Sequence, residues 1–222
     1  MNAQQPEQLV FLLDVDNTLL DNDQIERDLS AHLTEVFGRD ACDRYWSILE
    51  QLRTELGYAD FLGALQRYRA ENLHDPHILE MSSFLVDYPF ADRLYPKALE
   101  LVTQIKRRWA VTIFSDGDAV FQPRKVERSG LWKAVDGRVL IYIHKEQMLD
   151  DVERRYPADH YVFIDDKLRL LNAVKQNWGG RVTTVFPQQG HYANASSVKT
   201  HPPADITIEH IADLSAHLQS FR

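Results

Sequence analysis

Val10-Phe11-Leu12-Leu13-Asp14-Val15-Asp16-Asn17-Thr18 joins a short, unbroken apolar run to a loop carrying two carboxylates two residues apart. Four consecutive strand formers are the pattern of a strand buried on both faces, which puts the polar residues at its carboxyl end. Alone, such an Asp/Asn cluster reads as a turn, because these side chains bond to nearby backbone groups. Two later segments repeat the arrangement: Val111 to Phe114 runs into Ser115, and Tyr161 to Ile164 runs into Asp165-Asp166. In open parallel sheets, reactive residues gather beyond the carboxyl ends of the strands, where strand order reverses. The three strand ends therefore point to one rim.

Between the first two of these strands the apolar spacing turns helical. Ile25, Leu29, Leu33, Val36 and Phe37 form one set, Tyr45, Leu49, Leu52 and Leu56 a second, Phe61, Leu65 and Tyr68 a third, and Ile78, Met81 and Leu85 a fourth. Gly38, Gly57 and Asp75-Pro76 punctuate them, giving three or four helices between about 22 and 88 and no strand. Pro89 and Pro96 mark the return. Predicted helices near 97–109, 119–130, 146–155 and 167–178 then alternate with strands, including 138–143, 182–186 and a weaker one at 205–208, before a closing helix near 210–221. Such alternation calls for a parallel sheet covered on both faces. The predicted fold is α/β, a doubly wound parallel sheet with an inserted all-helical domain. Residues 1–21 and 89–222 are assigned to the α/β core and 22–88 to the insert.

Composition narrows the function classes. The 222 residues are 44% hydrophobic and 26% charged, which excludes collagen-like and wholly disordered chains. The longest apolar runs, Leu9 to Leu13 and Val139 to Ile143, are far short of the roughly 20 residues a membrane helix needs. Met1 to Glu7 carry no Lys or Arg ahead of the first run, so no secretory leader is predicted and the protein is placed in the cytoplasm. Cys42 is the single cysteine, which rules out an intrachain disulfide. With a net charge of −8 and only short basic runs such as Lys106-Arg107-Arg108, neither nucleic acid nor membrane is an expected partner. His74 and His77 flank Pro76 without a third ligand, and His144 and His191 read as structural. The chain lacks a Gly-x-Ser-x-Gly elbow, a phosphate loop ending in Gly-Lys-Ser/Thr and a Gly-x-Gly-x-x-Gly turn.

If the first and third strands are neighbours, Asp14, Asp16, Asp165 and Asp166 crowd one rim. Like charges that close repel unless protons or a cation relieve them. Magnesium, which takes oxygen ligands and shares its shell with substrate phosphate, is the predicted cofactor. Lys145 precedes the helix leading to the Asp165 strand and is the candidate phosphate partner, although a lysine taken alone is ordinarily a surface residue.

These segments resemble the haloacid dehalogenase superfamily of hydrolases, in its phosphatase-type branch with a helical cap between the first and second motifs. The four motifs correspond, in order, to Asp14-Val15-Asp16-Asn17-Thr18, Phe114-Ser115-Asp116-Gly117, Lys145, and Phe163-Ile164-Asp165-Asp166, and Leu94-Tyr95-Pro96 looks like the family's re-entry from the cap. The resemblance implies a magnesium-dependent phosphohydrolase acting on a small-molecule phosphate monoester. It implies Asp14 as nucleophile and Asp16 as acid and base, with Asp16 protonated at the first step. Ser115 and Lys145 would hold the phosphate, with N–H groups around Asn17, Asp116 and Gly117, and Thr18 would hold the loop. The metal would bind the Asp14 carboxylate, the Asp16 main-chain carbonyl and Asp165. Many relatives carry an acid four residues after that last aspartate; here the position is Arg169, leaving Asp166 as its substitute. Asp116 and Asp118 add charge beside Ser115 and are expected to point outward or cap the next helix. Dehalogenases of this family lack the second aspartate of the first motif, because halide leaves without a proton. A phosphomutase, a haloacid dehalogenase or a silent binding module on the same scaffold are the alternatives. Arg39 and Tyr58 are the insert's candidates for reaching the cleft.

Overall fold

The structure is a computed structural model describing residues 7–193 and 200–221. Residues 1–6, where no secretory leader was predicted, lie outside the described residues. Val10, Phe11, Leu12 and Leu13 are all fully buried, the two-faced burial that an unbroken apolar run requires. They belong to β1 (Glu7–Leu13), which is followed by four helices, α1 (Asn22–Phe37), α2 (Arg39–Leu56), α3 (Phe61–Glu71) and α4 (Ile78–Asp87). A 3₁₀ turn at Phe90–Arg93 leads to α5 (Ala98–Lys106) and β2 (Ala110–Asp116). Then come α6 (Phe121–Arg128), α7 (Leu131–Ala134), β3 (Val139–Tyr142), α8 (Leu149–Arg155), β4 (Ala158–Ile164) and α9 (Leu168–Trp178). The described chain closes with β5 (Val182–Pro187), α10 (Gly190–Ala193), β6 (Ile206–Ile208) and α11 (Leu214–His217).

Among the described residues the strands form one six-stranded sheet of order β3-β2-β1-β4-β5-β6, every pair parallel. The chain builds outward from β1 to β3, then crosses back to β4 on the other side. Strand order reverses beside β1, and that is where a doubly wound sheet opens a crevice. Leu13 is in register with Ile113 and Ile164. Asp14, Ser115 and Asp165 therefore emerge within one residue of the same level.

Alternation along β1 sorts the core into two layers. Leu9, Phe11 and Leu13 pack with Leu101 and Ile105 of α5 and Val126 of α6, whereas Val10 and Leu12 pack with Val152 of α8 and Leu171 and Val174 of α9. Successive strand side chains face opposite ways, so helices cover both faces.

The stretch from Asn22 to Asp87 buries the apolar positions its spacing predicts, among them Leu29, Leu33, Tyr45, Leu49, Leu52, Leu65 and Met81. Asp21 accepts the Gln24 N–H at 2.9 Å to cap α1, and Asp60 accepts that of Gly63 at 2.7 Å to cap α3. Leu56, read as part of the buried stripe, is exposed because it ends α2. Gly57 follows with φ 83°, and a Cβ there would come within 2.6 Å of the His144 ring. The end of α2 thus lies against the loop that carries Lys145.

Two C-terminal segments depart from the spacing. The predicted helix near 146–155 begins as a 3₁₀ turn, Lys145–Gln147, before α8. The closing helix is broken into 3₁₀ turns on either side of α11. Buried Ile211 and Leu214 sit three apart, a spacing that 3₁₀ geometry satisfies as well as an α-helix does. No helix among the described residues is long and apolar enough to cross a membrane.

Candidate active site

Asp14 donates its N–H to the Ile164 carbonyl at 3.0 Å, adding one rung to the β1–β4 ladder. It is buried, as are Asp165 and Asp166, and one carboxylate oxygen from each lies within 4.8 Å of the others. Lys145 answers this concentration of charge. Its ammonium donates to Asp14 Oδ1 at 2.5 Å and to the Phe114 carbonyl at 3.1 Å, and lies 2.6 Å from Asp165 Oδ2. Burial alone would lower the Lys145 pKa; Asp14, Asp165 and Asp116 raise it instead. This lysine is 1% exposed, against the surface placement usual for its type.

Lys145 does not saturate the cluster. Asp14 Oδ2 and both oxygens of Asp166 have no hydrogen-bond partner, and Asp165 Oδ2 meets Lys145 in an ion pair whose geometry falls outside a hydrogen bond. Burial pushes Asp165 up to about 6 and lifts Asp166 well above the ordinary carboxylate range. A buried, oxygen-only donor set with unused lone pairs fits a hard divalent cation. The backbone around it is pinned: Asp166 donates its N–H to Thr18 Oγ1 at 3.1 Å, and Lys167 donates its N–H to Asp165 Oδ1 at 2.8 Å. Arg169, at the position where the resemblance implies an acid, pairs with Glu146 at 3.1 Å and is among the residues that line the cleft.

Asp16 stands apart from this cluster. Its side chain is 28% exposed, and its Oδ1 accepts from Lys125 Nζ at 2.7 Å. Gln122 Nε2 lies 3.4 Å from Asp16 Oδ2 and donates to Ser115 Oγ at 2.9 Å. Neither Gln122 nor Lys125 was singled out from the sequence. The signal was nevertheless present: Phe121, Gln122, Lys125 and Val126 share the buried face of α6, so two polar residues occupy positions that helical phase reserves for the core.

Ser115 is the penultimate residue of β2, and its hydroxyl also donates to the Asp116 carbonyl at 3.2 Å. The Asp116 carboxylate accepts the Lys145 N–H at 2.7 Å, so it fixes the loop that delivers the buried ammonium. Gly117 leaves room for Gln122, whose Cβ a side chain there would meet at 2.5 Å. Asp118 accepts the N–H groups of Val120 and Phe121 at 2.7 and 2.6 Å, the predicted capping role.

Above these residues lies a cleft of about 360 Å³. Asp16, Gly117 and Asp166 line its floor, and Glu26, Arg53 and Tyr58 line it from α1, α2 and the loop after α2. Asp14, Ser115 and Lys145 are buried and are not among the residues that line it. Tyr58 reaches the cleft as expected; Arg39 is exposed at the start of α2 and is not among its lining residues. His191 and His144, read as structural, both border the cleft, and His191 Nδ1 lies 2.6 Å from Asp23 Oδ1.

A family model for haloacid dehalogenase-like hydrolases matches residues 9–175. The crystal structure of a haloacid dehalogenase-like hydrolase from Burkholderia xenovorans LB400 superposes with a TM-score of 0.91 at 59% identity, over 96% of this chain and 99% of that one. A haloacid dehalogenase-like family hydrolase from Xanthomonas campestris gives a TM-score of 0.68 at 19% identity, over 98% and 94%. L-2-haloacid dehalogenase from Xanthobacter autotrophicus, with chloropropionic acid covalently bound, gives 0.61 at 15%, over 98% and 100%. At those identities the last two show a shared fold. No curated protein sequence matches the chain.

Proposed function

Because the chain belongs to the haloacid dehalogenase-like hydrolases, we propose that this hydrolase is a magnesium-dependent phosphohydrolase, cleaving a small-molecule phosphate monoester through an aspartyl-phosphate on Asp14. The observation that carries this reading is Asp16, a carboxyl bordering the cleft two residues after the buried Asp14 and held by a separate cation. Ester cleavage needs a group that gives a proton to the leaving oxygen and later takes one from water; expulsion of halide does not.

In this reading Asp14 attacks phosphorus and Asp16 protonates the departing alcohol. Asp16 then draws a proton from the water that opens the acyl phosphate. Lys125 on Oδ1 and Gln122, 3.4 Å from Oδ2, orient the Asp16 carboxyl for that exchange. Ser115 and Lys145 bind the phosphoryl oxygens, with N–H groups near Asn17, Asp116 and Gly117. Thr18 and Asp116 keep the loops in place through their bonds to the Asp166 and Lys145 N–H groups. Asp14, Asp165 and Asp166, with the Asp16 main-chain carbonyl, would hold the metal. When bound, the ion supplies positive charge that lowers the cost of bringing a phosphate against these carboxylates. Residues 22–88 act as a cap over the cleft, with 1–21 and 89–222 as the catalytic core. The ester is a small soluble molecule handled in the cytoplasm, with no nucleic acid or membrane as partner.

Phosphate release from sugar phosphates, nucleotides, phosphoglycolate and phosphoamino acids, with and without magnesium, tests the reading against chloride release from 2-chloropropionate. Metal-dependent phosphate release that is lost in a folded Asp14→Asn variant is the expected result. Chloride release without phosphate release would replace it with the dehalogenase reading.

A further inference from the structure

Lys125 is a cation in a place where packing asks for none. Its side chain is 1% exposed, with Nζ 5.2 Å from the centre of the Phe121 ring and buried Val126 as its neighbour on α6. Withdrawing an ammonium from water costs several kcal/mol unless ion pairs and hydrogen bonds offset it. Here they do: Nζ donates to Asp16 Oδ1 at 2.7 Å and to Asn22 Oδ1 at 2.9 Å. A methionine would fill the space without that cost, so the charge is explained by what it holds rather than by the core it sits in.

What it holds is the one carboxylate of the first motif that borders the cleft. Gln122 lies one turn earlier on the same face of α6 and links Asp16 Oδ2 to Ser115. One short helix therefore reaches both oxygens of Asp16 and ties them to the end of β2. Asn22, the other anchor of the ammonium, is the first residue of α1. The same Nζ thus fixes the point where the chain leaves the site loop for the helical segment. Asp14 and Asp16 are held by different lysines, which keeps two neighbouring carboxylates in separate orientations.

We propose that Lys125 is a positioning residue for proton transfer, holding the Asp16 carboxyl in the orientation from which it protonates the departing ester oxygen. This inference rests on the phosphohydrolase reading. In that step an Asp14 oxygen bonds to phosphorus and the P–O bond to the alcohol breaks. The electron pair stays on the alcohol oxygen, and the Asp16 proton moves onto it. Lys125 touches neither ester nor phosphorus; it acts through Asp16.

The dependence of rate on the leaving group separates this role from a structural one. Protonation matters most when the departing oxygen is strongly basic, so phenyl phosphate depends on Asp16 more than p-nitrophenyl phosphate, a probe of similar shape. Lys125→Met is expected to lower kcat/KM for phenyl phosphate about 10²-fold and for p-nitrophenyl phosphate under about tenfold. Lys125→Arg should recover part of the difference. Both esters are assayed on one preparation with magnesium, so the ratio of the two values is insensitive to the fraction correctly folded. Should Lys125→Met yield no folded protein, Asn22→Ala loosens the ammonium with the lysine still in place and should shift the ratio the same way. Equal losses on the two esters would overturn the role of Lys125 while leaving the phosphohydrolase reading intact. Hydrolysis of neither ester by the unsubstituted protein would instead count against that reading, and the inference would fall with it.

Discussion

Asp14 and Asp16 are separated by one valine, yet Lys145 holds the first and Lys125 the second. That division gives two identical side chains different surroundings, as a nucleophile and a proton carrier require. Lys145→Met would leave Asp14 and Asp165 buried without their cation. Truncating one partner of a buried pair costs about 3–5 kcal/mol, so the metal-free variant should melt at a markedly lower temperature than the parent in calorimetry. Its kcat/KM should fall by about 10²–10³, as when a charge-stabilising donor is removed. Asp14, Ser115 and Asp165 were legible in the sequence because each follows an apolar run, and Asp16 because it lies two residues beyond Asp14 in the same loop. Lys125 and Gln122 were legible only as polar residues in the apolar phase of α6, because their role depends on which face of that helix meets the site. The Asp116 carboxylate was equally opaque, since its partner, the Lys145 N–H, comes from a distant loop.

The elements owe their placement to a few polar anchors as well as to apolar spacing. Asp28 on α1 accepts from Arg93 Nη2 at 2.7 Å and Gln24 Nε2 at 2.7 Å, and also from the Tyr88 hydroxyl. It thereby binds the first helix to the segment that returns to the sheet. Burial pushes the Asp28 pKa up, but bonds from Tyr88, Arg93 and Gln24 outweigh it, and the net shift is downward. A depressed folded pKa means that Asp28 contributes stability above its unfolded value near 3.8 and loses that contribution as pH falls through the folded value. Asp28→Asn should therefore cost about 1 kcal/mol near pH 7, discounted for its partial exposure, and the gap to the parent in denaturant melts should close on acidification below pH 4. A gap that widened with acid would reverse the assignment. Asp60→Ala removes the cap of α3 and should cost about 1 kcal/mol at any neutral pH, read from the same melts. Apart from the one-turn helices α7 and α10, helix and strand order were readable from spacing. The broken C-terminal helix was not, because the same apolar spacing suits a 3₁₀ turn and an α-helix.

Across the whole molecule, the helices between β1 and β2 meet the loops beyond the sheet where the site is assembled. Gly57, at the end of α2, lies against His144, the residue before the buried lysine. Gly57→Val should push these apart and lower kcat/KM by up to about 10²-fold, as small displacements of a reacting geometry do. Adding His144→Ala should recover part of that loss in steady-state assays; no recovery would assign the loss to backbone strain at a positive φ instead. The parallel sheet followed from the alternation of helices and strands in the sequence, but the sheet order with its reversal beside β1, and the contact between Gly57 and His144, depend on the packing of distant segments. If Asp14 receives a phosphoryl group from a phosphate monoester, that group can be trapped on its side chain. Asp16→Asn should retain the first step with p-nitrophenyl phosphate, whose leaving group needs no proton, and stall the second. Peptide mass spectrometry after acid quench is then predicted to find one added phosphoryl group on Asp14; an unmodified Asp14, or phosphate on any other residue, would rule Asp14 out as the nucleophile.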